Sequence, residues 1–184
     1  MRHQVHQTII TSGIFRGQTI RTPGGDAHPM GSREKIALFN MIADDLPKAV
    51  VLDAYAGSGA LGIEALSRGA ALAFFADNSP LAIKVIEENL EEMELIGRNG
   101  EIIRADVMKL AKEAEANERG FQVVLADPPY DSYRPEMITC LKKLVAKKGL
   151  IATSTPVAAP DIPGMEKVRE RKYARAHITI YRWA

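Results

Sequence analysis

One cysteine, Cys140, stands in 184 residues, so an internal disulfide cannot form and a cysteine-based zinc cage is excluded. It falls among Ile138, Leu141 and Leu144 on a predicted helix, which makes it a packing residue. Long hydrophobic runs are also missing. No stretch approaches the roughly 18 apolar residues that span a bilayer, and the opening MRHQVHQTIITSG lacks the apolar segment of a signal peptide. A cytoplasmic protein without a membrane partner is therefore expected. The four histidines, His3, His6, His28 and His177, have no paired ligands beside them, so no metal site is expected. Repeats, low-complexity tracts and linkers are absent as well, which leaves a single domain over residues 1–184.

What is present is an average globular composition, 46% hydrophobic and 26% charged. The net charge of +1 hides a segregation: residues 1–35 carry +3, residues 165–184 carry +4, and the stretch between them carries −6. Basic ends around an acidic middle suit contact with a polyanion, because lysine and arginine that neutralise phosphates supply most sequence-independent affinity. Arg16, Arg21, Arg33, Arg171 and Arg175 are the candidates.

From residue 49 onward, short β-branched runs alternate with helical periodicity, the pattern of a parallel sheet covered by helices. Strands are predicted at 49–53, 71–77, 101–106, 121–127 and 150–155. Helices are predicted at 60–68, from Ser79-Pro80 to near Gly97, at 107–117 and at 134–147. The helix after Ser79 turns Leu81, Val85, Ile86, Leu90 and Met93 inward. MEKVRERKY and ARAHITIYRW read as a closing antiparallel hairpin. Near the start, β-like alternation over 8–25 precedes an amphipathic helix at 33–46, with Ile36, Leu38, Phe39 and Ile42 inward and Ser32 as its cap. The sum is an α/β, Rossmann-like fold: a mostly parallel seven-stranded sheet with an antiparallel C-terminal hairpin and a small N-terminal extension. Residues 1–32 form a β-rich arm and residues 33–184 the core.

Ligands of open α/β sheets bind at the carboxyl ends of the strands. Three acids mark those ends, Asp53, Asp77 and Asp106. Asp53 opens the loop Asp53-Ala54-Tyr55-Ala56-Gly57-Ser58-Gly59. Residues 57–62 also match G-x-G-x-x-G, and Asp77 follows at the spacing of a ribose-binding acid, so a dinucleotide must be weighed. Against it, Asp53 would repel a pyrophosphate. S-adenosylmethionine (AdoMet) carries an ammonium and a sulfonium but no phosphate, and it suits these acids. Asp77 is placed for the ribose hydroxyls, and Asp106 for the adenine amino group. The neighbouring Asn78 and Val107 complete the candidate cofactor set with Ala54, Tyr55, Gly57, Ser58 and Gly59. Asp77 and Asp106 each have a second reading, as caps of the helices that follow.

Asp127-Pro128-Pro129-Tyr130 ends another apolar strand. Its two prolines fix the backbone. A nucleobase exocyclic amine is a poor nucleophile because its lone pair is delocalised into the ring. If Asp127 and the Pro128 carbonyl accept its N–H bonds while Tyr130 stacks on the base, the lone pair can be aimed at a sulfonium methyl. Methyl transfer to a planar amine is the chemistry implied.

Together these segments resemble the RsmD family of class I methyltransferases, over nearly the whole chain. SGIFRGQTIRTPGG (12–25) is similar to that family's N-terminal segment, REKIALFNMI (33–42) to its R-x-x-x-F-N helix, DAYAGSGALGIEALSRGA (53–70) to its cofactor loop, DPPY to its catalytic motif and RKYARAHITIYRW (171–183) to its closing hairpin. The resemblance implies methylation of a guanine N2 of 16S ribosomal RNA, AdoMet as cofactor, and RNA contacts around Arg16 and Arg33. A partly assembled small ribosomal subunit is the implied partner, since the small arm needs folded RNA to complete recognition. Two departures stand out: His28-Pro29-Met30-Gly31 where relatives tend to read R-P-T, and a second strand ending Ala76-Asp77-Asn78 in place of a glutamate-containing run. The sequence leaves open a DNA adenine-N6 or cytosine-N4 methyltransferase, a dehydrogenase, and a non-catalytic RNA-binding assembly factor.

Overall fold

The computed structural model describes residues 7–24, 30–114 and 120–184. Strands β1 (Gln7–Ile9) and β2 (Thr19–Arg21) form an antiparallel pair of their own. Helix α1 (Ser32–Met41) then leads to an alternation of β3 (Val50–Ala54), α2 (Ala60–Ser67), β4 (Leu72–Asp77), α3 (Pro80–Glu92), β5 (Gly100–Arg104), α4 (Val107–Glu113) and β6 (Phe121–Ala126). A short α5 (Glu136–Thr139) precedes β7 (Val145–Thr155), and β8 (Met165–Lys172) and β9 (His177–Trp183) close the chain.

The seven-stranded sheet runs β5-β4-β3-β6-β7-β9-β8. The first five strands are parallel, and β9 inserts antiparallel between β7 and β8. Chain order reverses direction at β3, whose two neighbours are β4 and β6. Connections leave that point toward opposite edges and open a crevice above the carboxyl ends of both strands. Alternate residues of the central strands face opposite cores: Val51, Val123 and Ala152 on one side, Leu52, Val124 and Ile151 on the other. Burial on both faces is why these segments read as continuous apolar runs.

Ile10 and Ile20 from the N-terminal pair lie in the same core as Leu38, Phe39 and Val51. The arm is fastened by polar contacts to α2. Ile14 N–H donates to the Ser67 carbonyl (2.9 Å), Phe15 N–H to Ser67 Oγ (3.0 Å), and Ser67 Oγ to the Ser12 carbonyl (2.6 Å). Gly13 stands between them at φ +84°, and a Cβ there would lie 1.8 Å from the Ser67 carbonyl oxygen. Gly13→Ala should therefore cost about 2 kcal/mol or more, from left-handed strain plus the clash. Urea unfolding measures it, and a variant of unchanged midpoint would refute this fastening.

Four departures from the predicted elements have physical causes. Along α1 and its C-cap residue the inward positions are Lys35, Leu38, Phe39 and Ile42, an i, i+3, i+4, i+7 set, and Ile36, one residue off that stripe, is 41% exposed. Ser32 does not cap the helix; Gly31 occupies the cap position and Ser32 is the first helical residue. The predicted helix at 134–147 is only α5 and one 3-10 turn (Cys140–Lys143), because the backbone from Val145 joins the sheet opposite Phe121. Gly149 permits the bulge this requires, since a Cβ there would meet the Gln122 carbonyl at 2.7 Å. Finally, Leu81 is 52% exposed on the first turn of α3, where it lines the crevice. The predicted end of the 107–117 helix lies partly outside the described residues, and α4 closes at Glu113.

Candidate active site

Asp53 is the penultimate residue of β3, with 1% of its surface exposed, and its Oδ2 accepts the Gly62 N–H at 2.7 Å. The loop beyond it folds back through positive φ at Tyr55 (63°), Gly57 (57°) and Gly59 (80°), glycine serving where most side chains are strained. Tyr55 holds that conformation with its phenol donating to the Met137 carbonyl at 2.9 Å. Asp77, at the end of β4, accepts from Gly57 N–H (2.9 Å, Oδ2) and from Ser79 N–H (2.9 Å, Oδ1), so it ties the loop to the start of α3. Ser79 itself caps α3, accepting the Ala82 N–H. Asp106 does cap α4, through Lys109 N–H at 2.9 Å, and it also lines the crevice. Of its two readings, the structure realises the cap.

The crevice is a cleft of about 1360 Å³. It joins Asp53, Tyr55, Gly57, Ser58, Asp77, Asn78, Asp106 and Val107 on one side to Asp127, Pro128, Pro129 and Tyr130 on the other. Ala54 is buried beneath it, and Gly59 is the cap residue of α2. Asp127 lies one residue past β6. Burial pushes its carboxyl up to about 7, opposed by hydrogen bonds from Ser154 and the Met30 backbone. Its Oδ1 is sealed from solvent without a hydrogen-bond partner. Burial likewise raises Asp53 well above the usual carboxylate range; the Gly62 N–H opposes this, and the charges of Asp127 and Asp77 add to it. Three acids that repel one another around a cleft fit a ligand carrying positive charge. Tyr130, raised to about 12 by burial, stays a neutral phenol and meets Ser154 Oγ at 2.6 Å.

Of the five arginines proposed for phosphate contact, Arg175 lines the cleft. Arg16, Arg33 and Arg171 are exposed away from its lining. Arg21 is already engaged, with Glu88 at 3.0 Å and with Glu92. Its backbone is held too. Asn89 accepts the Arg21 N–H and donates to the carbonyls of Arg21 and Ser58, joining the arm to the loop that follows β3. Sequence reasoning missed Asn89, Lys35, Ser154 and Arg134, the last of which lines the cleft. Only Lys35 had a readable signal, its place in the 35-38-39-42 stripe. Among the described residues no cluster of His, Cys, Asp or Glu could hold a metal ion, and no helix is long and apolar enough to cross a membrane.

The family described as Conserved hypothetical protein 95 matches residues 8–182. YlbH of Bacillus subtilis (strain 168), provisionally named an rRNA methyltransferase, is 29% identical over 180 residues, 94% of this chain and 97% of its own. Ribosomal RNA small subunit methyltransferase D of Escherichia coli (strain K12) is 32% identical over 126 residues, 67% of this chain and 61% of that relative. Among solved structures, the Escherichia coli protein yhhF, provisionally described as a methyltransferase, superposes with a TM-score of 0.83 at 28% identity. That match covers 97% of this chain and 98% of the other.

Proposed function

The chain belongs to the Conserved hypothetical protein 95 family of RsmD-type methyltransferases, and from that premise we propose that it methylates the exocyclic N2 amine of a guanine in 16S ribosomal RNA. The observation that carries the reading is the sealed, unpartnered Oδ1 of Asp127. An acceptor buried without a donor is costly, by roughly 1–3 kcal/mol, and an incoming amine N–H satisfies it. S-adenosylmethionine, when bound, supplies the electrophilic methyl group on a sulfonium. Asp53, Asp77 and Asp106 hold its ammonium, ribose and adenine respectively, with Ala54, Tyr55, Gly57, Ser58, Gly59, Asn78 and Val107 around it.

Asp127 and the Pro128 carbonyl take the two N–H bonds, Pro129 keeps the segment rigid, and the Tyr130 ring stacks on the base. As the N–C bond forms and the S–C bond breaks, the nitrogen becomes positive; the adjacent Asp127 carboxylate stabilises that charge and receives the departing proton. The target base must be unstacked to enter the cleft. Arg175 is placed for the flanking phosphates at the cleft, with Arg16, Arg33 and Arg171 further along the surface. Arg21 serves instead to fasten the arm. The substrate we infer is a partly assembled small subunit, met in the cytoplasm.

The test is incubation with labelled S-adenosylmethionine and unmodified small-subunit RNA, naked or in particles, followed by mapping of the modified nucleoside. N2-methylguanosine at one position, formed faster in particles, is the expected result. Label in adenine or cytosine of duplex DNA would overturn the base assignment. Equal rates on naked RNA and particles would overturn the particle.

A further inference from the structure

Among the described residues, three cations line the cleft: Lys35, Arg134 and Arg175. Lys35 is buried and committed, donating to the Ile9 carbonyl beside Glu64. The other two are exposed, and although six carboxylates line the same cleft, neither guanidinium has an ion-pair or hydrogen-bond partner among the described residues. Both are nevertheless held by their backbones. Arg134 precedes Pro135, which restricts its backbone to the extended region. Its carbonyl accepts the Met137 N–H at 2.9 Å, and the Met137 carbonyl accepts the Tyr55 phenol at 2.9 Å. The turn that carries Arg134 is thus tied to the loop that follows β3. Arg175 sits in the turn between β8 and β9, which Tyr173 N–H closes on the Ala176 carbonyl at 2.7 Å. Since β9 opens with His177 against Thr155, the last residue of β7, this turn lies at the same edge of the sheet as Asp127-Pro128-Pro129-Tyr130.

Strand order places β6, and with it the DPPY segment, between β3 and β9. With neighbouring strands about 4.8 Å apart, the three steps from β3 to β9 span roughly 14 Å. One guanidinium is tied to the β3 side of that span and the other to the β9 side. Such a pair suits a strand whose central base has turned into the cleft, leaving a phosphodiester on each side of it. A planar guanidinium meets phosphate oxygens bidentately and never loses its charge. We propose that Arg134 and Arg175 form a two-point clamp on the phosphodiesters at either side of the target nucleotide. The proposal rests on the RNA methyltransferase reading above and adds Arg134, together with the opposed placement of the two cations. Phosphate contacts fix register without reading sequence, so the clamp serves binding and its loss belongs in KM.

The experiment compares wild type with Arg134→Ala, Arg134→Lys, Arg175→Ala and the double alanine variant on unmodified small-subunit RNA. Arg98→Ala is the control, since Arg98 precedes β5 outside the cleft lining and pairs with Glu94. Each single alanine variant at the cleft should raise the RNA KM about tenfold with kcat within about threefold, the loss of one charge-assisted contact. Filter binding of the same RNA with S-adenosylhomocysteine present, across a salt series, reads the charge without any turnover. The slope of log affinity against log salt should shrink by about 1 for each single variant and by about 2 for the double one. Arg134→Lys should keep the wild-type slope and raise KM only about threefold, because the charge stays while the bidentate contact goes. Calorimetric S-adenosylmethionine affinity within about twofold of wild type certifies the fold. An Arg134→Ala slope equal to wild type, or a slope lost equally in Arg98→Ala, overturns the clamp. So does a defect of Arg134→Ala confined to S-adenosylmethionine affinity, which would give this guanidinium to the cofactor carboxylate. If the slopes fall as expected while wild type methylates no RNA, the clamp stands and the proposed activity falls.

Discussion

Asp127→Ala should lower methyl transfer by about 100-fold or more while S-adenosylmethionine and RNA still bind, because it removes an acceptor that matters most as charge develops on the amine. Retained RNA binding with lost transfer also rejects a purely RNA-binding assembly factor. A variant retaining more than about a tenth of wild-type kcat would remove Asp127 from the chemistry. The same substitution has a stability signature that follows from burial. The carboxyl titrates near 7 in the folded protein, against an ordinary value of 3.8. Between those values the folded state binds more protons than the unfolded state, so this group's contribution falls as pH rises from about 4 to about 7. Above 7 the ionised carboxylate burdens the fold. Relative to wild type, Asp127→Ala should therefore be less stable near pH 4, where its hydrogen bonds are missed. It should gain steadily toward pH 8, by at most about 4 kcal/mol across the range. Urea unfolding at several pH values measures the swing, and parallel curves for the two proteins would contradict it. The rate of wild type should rise through the same interval as Asp127 ionises.

The second large effect lies away from the cleft. Glu64, with none of its surface exposed, accepts from Thr11 N–H (2.8 Å), Thr11 Oγ1 (2.7 Å), Ser12 N–H (3.1 Å) and Arg68 Nε (2.9 Å). Lys35, 1% exposed, stands 3.7 Å from it and donates to the Ile9 carbonyl at 2.5 Å. Burial lowers the Lys35 pKa, and Glu64 opposes that shift. Arg68 is further held over the Phe39 ring at 4.9 Å. Removing the carboxylate strands a buried ammonium and two backbone N–H groups. Glu64→Ala should cost about 3–5 kcal/mol, a large share of the roughly 5–15 kcal/mol that holds a domain folded. Glu64→Gln, which keeps the shape and one acceptor, should cost less, about 1–3 kcal/mol. Urea unfolding at neutral pH decides; losses below about 1 kcal/mol for both would show the network to be dispensable. Since α2 begins at the cofactor loop, the loss should also weaken cofactor binding.

The strand-end acids, the loop from Asp53 to Gly59 and the DPPY segment were legible because each is a local pattern. A carboxylate after an apolar run, glycines after a strand and paired prolines carry their meaning within a few residues. Sheet class followed from the same periodicity. The helix at 134–147 failed for the opposite reason: Leu141, Leu144 and Val145 fit a helical stripe, but the edge of β6 offered Val145 a ladder, and pairing outweighed propensity. Arg21, a candidate phosphate contact in the sequence, pairs in the structure with Glu88 and Glu92, far along the chain, which no local pattern announces.

Sequence alone thus determined the order of elements, the edge of the sheet where the cleft opens, and the residue types that line it. Tertiary structure alone decided that Lys35 is a buried partner of Glu64, that Asn89 joins arm to loop, and that Ser154 stands beside Asp127. The physical reason is range. Propensity and periodicity act over a few neighbouring residues, whereas burial, charge pairing and register depend on which distant segments share a surface. The partners of Asp127 came from Met30 and Ser154, segments that only the folded sheet and arm bring together.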